Sequence, residues 1–101
     1  MRRIATLTTL ALLLTHSLPA AAADPAKERE AYEHALDVLR EGRYDQAAKS
    51  FRAFRSDYPD SRYNANAQYW LGEAFYVTRK FKAALTEFQK VIQEFPTSPK
   101  V

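Results

Sequence analysis

Side chains able to do covalent or acid–base chemistry are few in this sequence, and none stands beside a partner that would activate it. There is no cysteine, and of the two histidines only His34 lies outside the apolar N-terminal stretch. A nucleophile needs an adjacent base, and a general acid or base needs a tuned environment, but the carboxylates here are scattered along the chain. A lone His34 reads as a surface residue. Asp45, Asp57 and Asp60 lack the regular ligand spacing of an acidic calcium loop and read as turn and helix-end residues. Glu28-Arg29-Glu30 and Arg79-Lys80-Phe81-Lys82 read as a solvated helix start and a solvated turn. The sequence therefore predicts a non-enzymatic protein with no catalytic residue, no metal and no cofactor.

The N-terminus carries a different kind of information. Met1-Arg2-Arg3 is a cationic start, Ile4 to Leu18 is nearly free of charge, Pro19 breaks the run, and Ala20 to Ala23 are small. This is the layout of a secretory signal peptide over residues 1–23, with cleavage before Asp24. The apolar stretch is shorter than the roughly 20 residues needed to span a bilayer, so no stable membrane insertion is expected. Arg2-Arg3 serves as an ordinary basic start and not as a twin-arginine signal. Lack of cysteine also excludes a lipid-modified cysteine at the cleavage site. Loss of Arg2 and Arg3 leaves 13 basic against 12 acidic residues, a net charge of +1. Those charges are dispersed, so no nucleic-acid partner is expected.

Self-similarity is the strongest signal in the rest. Tyr44, Ala47, Ala48, Phe51, Phe54, Tyr58, Pro59 and Ser61 recur 37 positions later as Phe81, Ala84, Leu85, Phe88, Val91, Phe95, Pro96 and Ser98. A period of this size marks a solenoid whose unit is two helices and a turn, so the fold class is all-α. Apolar spacing predicts helices over about 27–41, 44–57, 62–78 and 81–95, in repeats of about 28–61 and 62–98. Ser98-Pro99 reads as the cap and first position of a further helix at 98–101, cut short as in a truncated reading frame.

Within these helices, Gly72 must compensate for its helix-breaking tendency, and close packing against Ala84 is the expected reason. Trp70, Leu71 and Ala74 form the buried stripe of the third helix, while Tyr69 and Tyr76, with Asn66 and Glu73 beside them, point nearly opposite. The first helix is harder to place. His34 and Asp37 fall where the second unit has Leu71 and Ala74, so a one-residue shift of register stays open.

Trp70-Leu71-Gly72, Phe75, Ala84, Phe88 and Pro96 resemble the signature of the tetratricopeptide repeat family. That resemblance implies a concave groove lined by the first helix of each pair, here Asn66, Tyr69, Glu73 and Tyr76 joined by Arg29, Tyr32 and Leu36, holding a partner segment. The alternative use of these aromatics is packing against the neighbouring unit. Tyr69 and Glu73 stand where a carboxylate clamp would have other residues, so an acidic chain terminus is not the expected ligand.

A narrower resemblance rests on Glu41-Gly42-Arg43-Tyr44-Asp45-Gln46-Ala47, Tyr58-Pro59-Asp60-Ser61 and Asn66-Ala67-Gln68-Tyr69-Trp70-Leu71-Gly72-Glu73-Ala74. These are similar to the C-terminal domain of the Tol-Pal-associated periplasmic family called YbgF or CpoB. The resemblance implies a periplasmic adaptor of cell division, with TolA and the peptidoglycan synthesis machinery as partners, coordinating outer-membrane constriction with septal synthesis. The alternatives are a BamD-like structural role in outer-membrane assembly, though the lipid-attachment cysteine is missing, or a truncated non-functional fragment. With only two repeats, the last helix is expected to leave Phe88, Val91, Ile92 or Phe95 partly uncovered and to self-associate. Mass spectrometry of the exported protein is expected to show 78 residues beginning at Asp24. An N-terminus more than a few residues away, or an intact leader on the exported chain, would overturn the cleavage assignment.

Overall fold

In the computed structural model, residues 24–101 are described, and the expected leader at residues 1–23 lies outside them. The described residues form α1 (Pro25–Arg40), α2 (Tyr44–Asp57), α3 (Asn64–Val77) and α4 (Phe81–Glu94). Each packs chiefly on the next, giving two helical hairpins in series. The start of α1 comes two residues earlier than the periodicity suggests. The Asp24 carboxylate accepts the Ala26 amide at 3.0 Å and Pro25 occupies the first helical position, satisfying or removing amides that would otherwise lack partners. α3 begins two residues later than expected, because Tyr63 closes a turn in which the Ser61 hydroxyl accepts its amide.

The backbone repeats as faithfully as the sequence. Gly42 and Arg79, 37 positions apart, both take positive φ, at 77° and 62°. The Gly42 and Arg79 amides donate to Leu39 and Tyr76, and those of Arg43 and Lys80 donate to Val38 and Phe75. Later in each unit, Ser61 donates to Tyr58 as Ser98 does to Phe95, and Asn64 to Ser61 as Val101 to Ser98. Residues 98–101 thus repeat the backbone pattern of residues 61–64, where a turn leads into α3.

Burial settles the register of α1. Ala35 and Val38 are buried, as are Gly72 and Phe75 at the same offset, so the 37-residue correspondence runs through α1 without a shift. His34 and Asp37 are exposed where Leu71 and Ala74 are buried. The difference lies in the neighbours: α3 has a helix pair before it, and no described element lies before α1.

The core is built from Tyr32, Ala35, Val38, Ala47, Ala48, Phe51, Phe54, Ala67, Leu71, Ala74, Phe75 and Ala84. Gly72 is indeed tightly packed, but against Phe88 and not Ala84: a Cβ there would lie 2.5 Å from the Phe88 ring. The ring fills the space a side chain would take, which offsets the roughly 1 kcal/mol helix cost of glycine. At the same place in unit one, Ala35 is accommodated and fully buried.

Polar groups also enter the junction of α2, α3 and α4. Gln68 is buried, and its Nε2 donates to the Glu87 carbonyl at 2.9 Å and carboxylate at 2.6 Å while its Oε1 accepts from Arg55. The Glu87 carboxylate is itself buried and faces Arg52 at 3.6 Å and Lys90 at 3.5 Å. Arg55 continues to Glu94 at 2.8 Å. A buried carboxylate is tolerable because donors from three helices converge on it.

The positive-φ pair gives a direct energetic test. A residue with a Cβ is penalised by about 1 kcal/mol in this region, whereas glycine is not. Arg79→Gly is expected to raise stability by up to about 1 kcal/mol, and Gly42→Ala to lower it by about 1 kcal/mol, both read by urea unfolding. A loss of stability in Arg79→Gly would contradict the account.

Candidate functional site

The residues expected to line a groove stand at matching repeat positions on α1 and α3: Arg29 with Asn66, Tyr32 with Tyr69, Leu36 with Glu73. Arg29 is exposed, Leu36, Asn66, Tyr69 and Glu73 are half-buried, and Tyr76 is 55% exposed. Tyr32 departs from expectation. At 8% exposure it belongs to the core, stacked on Tyr63 with ring centres 4.7 Å apart and planes 10° from parallel, and edge-on to Phe51. Burial follows from its position between two units, where Tyr63 at the head of α3 folds over it.

Trp70, expected in the buried stripe, is half-buried, and its indole Nε1 donates to the Tyr32 hydroxyl at 3.2 Å. This bond ties the first helices of the two units together and gives the otherwise buried phenol a partner. Tyr69 packs edge-on to Trp70 at 5.2 Å and tilted against Phe88 at 5.7 Å. One aromatic ribbon therefore runs from Tyr63 through Tyr32, Trp70 and Tyr69 to Phe88.

Lys100 completes the ribbon and was not foreseen from the helical stripes. Its ammonium lies 4.8 Å from the Tyr69 ring centre and 5.0 Å from that of Trp70. The repeat itself carries the signal: Lys100 stands 37 positions after Tyr63, and Tyr69 stands 37 after Tyr32. What is an aromatic stack in one unit is a cation over an aromatic face in the next. Leu39, the partner of Tyr76 by the same offset, is a second half-buried addition to this face.

The chemistry of the face suits recognition. It offers aromatic area, the Asn66 amide, the Glu73 carboxylate and the cations of Arg29 and Lys100, and it holds no pairing of nucleophile with base. Among the described residues no group of three or more histidine, cysteine or carboxylate side chains is placed to hold a metal. His34 is exposed on α1, away from the ribbon. No described helix is long and apolar enough to cross a membrane.

Partial burial pushes the Tyr69 hydroxyl above the ordinary phenol value, and the adjacent Glu73 carboxylate adds to the shift. The neutral phenol is thus favoured in the folded state. Its contribution to stability is complete below the unfolded value and is lost as pH rises through the higher folded one. Glu73→Gln is expected to bring the Tyr69 midpoint down towards, but not to, the ordinary value, because the contribution of burial remains. Tyrosine-ring NMR titration reads this, and an unchanged midpoint in Glu73→Gln would remove the carboxylate from the explanation.

Comparison with known proteins agrees with this geometry. Two curated relatives, each called cell division coordinator CpoB, one from Pseudomonas putida strain KT2440 and one from Pseudomonas putida, are 50% identical over 50 residues. The match covers 50% of this chain and 19% of each relative, so it spans about a fifth of their length. A family model for the tetratricopeptide repeat matches residues 32–99, which takes in most of α1 and all of α2, α3 and α4. With two hairpins in the same 37-residue register, the chain belongs to the tetratricopeptide repeat family.

Proposed function

We propose that this chain is a periplasmic adaptor of the cell-division machinery, exported by residues 1–23, that binds an extended or helical protein segment along the groove of α1 and α3. Asn66, Tyr69, Glu73 and Tyr76 form the contact surface in the second unit, extended by Arg29 and Leu36 in the first, while Tyr32 supports it from below. The observation that carries the proposal is the 50% identity to proteins named as cell division coordinators, joined to a first-helix face that keeps aromatic and polar groups accessible. TolA and the peptidoglycan synthesis machinery are the partners to test. The role follows as coordination of outer-membrane constriction with septal synthesis.

Charge supports a protein partner over nucleic acid. Basic side chains are largely neutralised locally, as in Arg29–Glu33, Arg40–Asp37, Arg43–Glu41 and Lys80–Asp45. With 13 basic against 12 acidic residues after residue 23, the charge balance does not favour a polyanion. A tyrosine-rich face that carries an amide, a carboxylate and two cations suits a polar protein segment.

The test is a pull-down from envelope extract with residues 24–101, run beside Asn66→Ala/Glu73→Lys. Both side chains are partly exposed, so helical content should be preserved. TolA or a peptidoglycan synthase is expected with the parent and reduced at least about tenfold with the variant. Equal recovery would move the site off this groove, and absence of every division protein would sink the division role.

A further inference from the structure

One face of α2 carries Asp45, Ala48, Lys49 and Arg52, spaced so that they lie side by side on a helix. Against it stand Phe75, from the last turn of α3, and Lys80, at the cap of α4. The turn between them is tight: Arg79 takes its positive φ, and the Lys80 amide donates to the Phe75 carbonyl at 2.9 Å. That turn brings the Lys80 ammonium to 5.9 Å from the Phe75 ring centre, while the Arg52 guanidinium reaches the same ring at 5.1 Å. These six side chains line an open cavity of about 260 Å³.

Three of the six are cations and one is a carboxylate. Asp45 is held by Lys80 at 3.1 Å, and Arg52 shares the Glu87 carboxylate with Lys90, at 3.6 and 3.5 Å. Lys49 has no ion pair among the described residues. Like charges one helical turn apart repel, so Lys49 and Arg52 oppose each other until an anion joins them. The fold does not ask for this pair. Its matching positions on α4 are Thr86 and Gln89, and that helix forms without either charge.

We infer that the cavity is a second binding site, one that takes an acidic side chain from a segment of another protein. Size, floor and charge each point to that occupant. Small-molecule sites run from about 300 Å³ upward, so this space suits one side chain and not a nucleotide or a sugar chain. The least exposed of its lining residues are Ala48 at 4% and Phe75 at 9%, an apolar floor for the methylene stem of a glutamate, which a bare phosphate lacks. Lys49, Arg52 and Lys80 are all exposed at its rim, so a carboxylate there is met by donors from α2 and from the cap of α4. None of the six lines the proposed groove. The contact is therefore additional to the groove and does not depend on it.

Residues 24–101 hold all four helices and the whole described core, so they are the species to use. The probe is a capped peptide of alternating glutamate and alanine, with its glutamine counterpart and inorganic phosphate as controls. In amide NMR titration at about 20 mM salt, the glutamate peptide is expected to shift Lys49, Arg52, Phe75 and Lys80 with a dissociation constant of roughly 0.1–1 mM, and to bind severalfold more weakly at about 300 mM salt. Lys49→Glu, on an exposed position, should lose at least about fivefold in affinity with unchanged circular dichroism, and Lys49→Arg should retain it. Lys27→Glu makes the same change of net charge on an exposed position of α1 and should bind like the parent. No shift at the cavity, equal binding of the glutamine peptide or of phosphate, or equal losses in Lys27→Glu and Lys49→Glu would each overturn the proposal. Shifts confined to Asn66, Tyr69 and Glu73 would also overturn it while supporting the groove. None of these variants alters a groove residue, so the two readings fail separately.

Discussion

The fold depends on α3 being buried from two sides at once. Ala67, Leu71 and Ala74 form one buried row of this helix, and Gln68, Gly72 and Phe75 form another. A single hairpin cannot supply that, since one partner helix covers only one stripe. The helix therefore needs small residues, a glycine whose missing side chain admits Phe88, and a polar residue, Gln68, whose both ends are bonded. Each of these features fits a helix shared between two units, and none would be needed at an end of the solenoid.

The ends of the described solenoid are unequal for the same reason. α1 turns His34 and Asp37 outward at positions that are Leu71 and Ala74 in α3, so its leading face is already wettable. α4 does the opposite, putting leucine and isoleucine where α2 has alanine and arginine. The asymmetry is thus written into side-chain identity at equivalent backbone positions.

Much of this was legible in the sequence because the repeat constrains it twice. Matching residues at 37-position spacing gave the four helices to within two residues at each end. Less legible were contacts that break the repeat. Tyr32 and Tyr69 are equivalent in sequence, yet one is buried under Tyr63 and the other lies beneath Lys100, because the following residue at the same offset differs. Periodicity assigns a face to a side chain, but it does not say what lies above that face. The ion network through Arg52, Arg55, Gln68, Glu87 and Glu94 was missed for a related reason: a charge at an inward position reads as an error in the stripe unless its partners on two other helices are known.

The aromatic ribbon links architecture to recognition. Tyr63, Tyr32 and Trp70 join the units, and the hydrogen bond from Trp70 to Tyr32 fixes the first helices relative to each other. Of the residues proposed for the groove, Tyr69 packs on Trp70 at that joint, so its position is set by packing between the units. Side chains with few rotatable bonds lose little freedom when they bind. A partner segment laid along Asn66, Tyr69 and Glu73 would therefore meet a surface already held in place by the same contacts that hold the two repeats together.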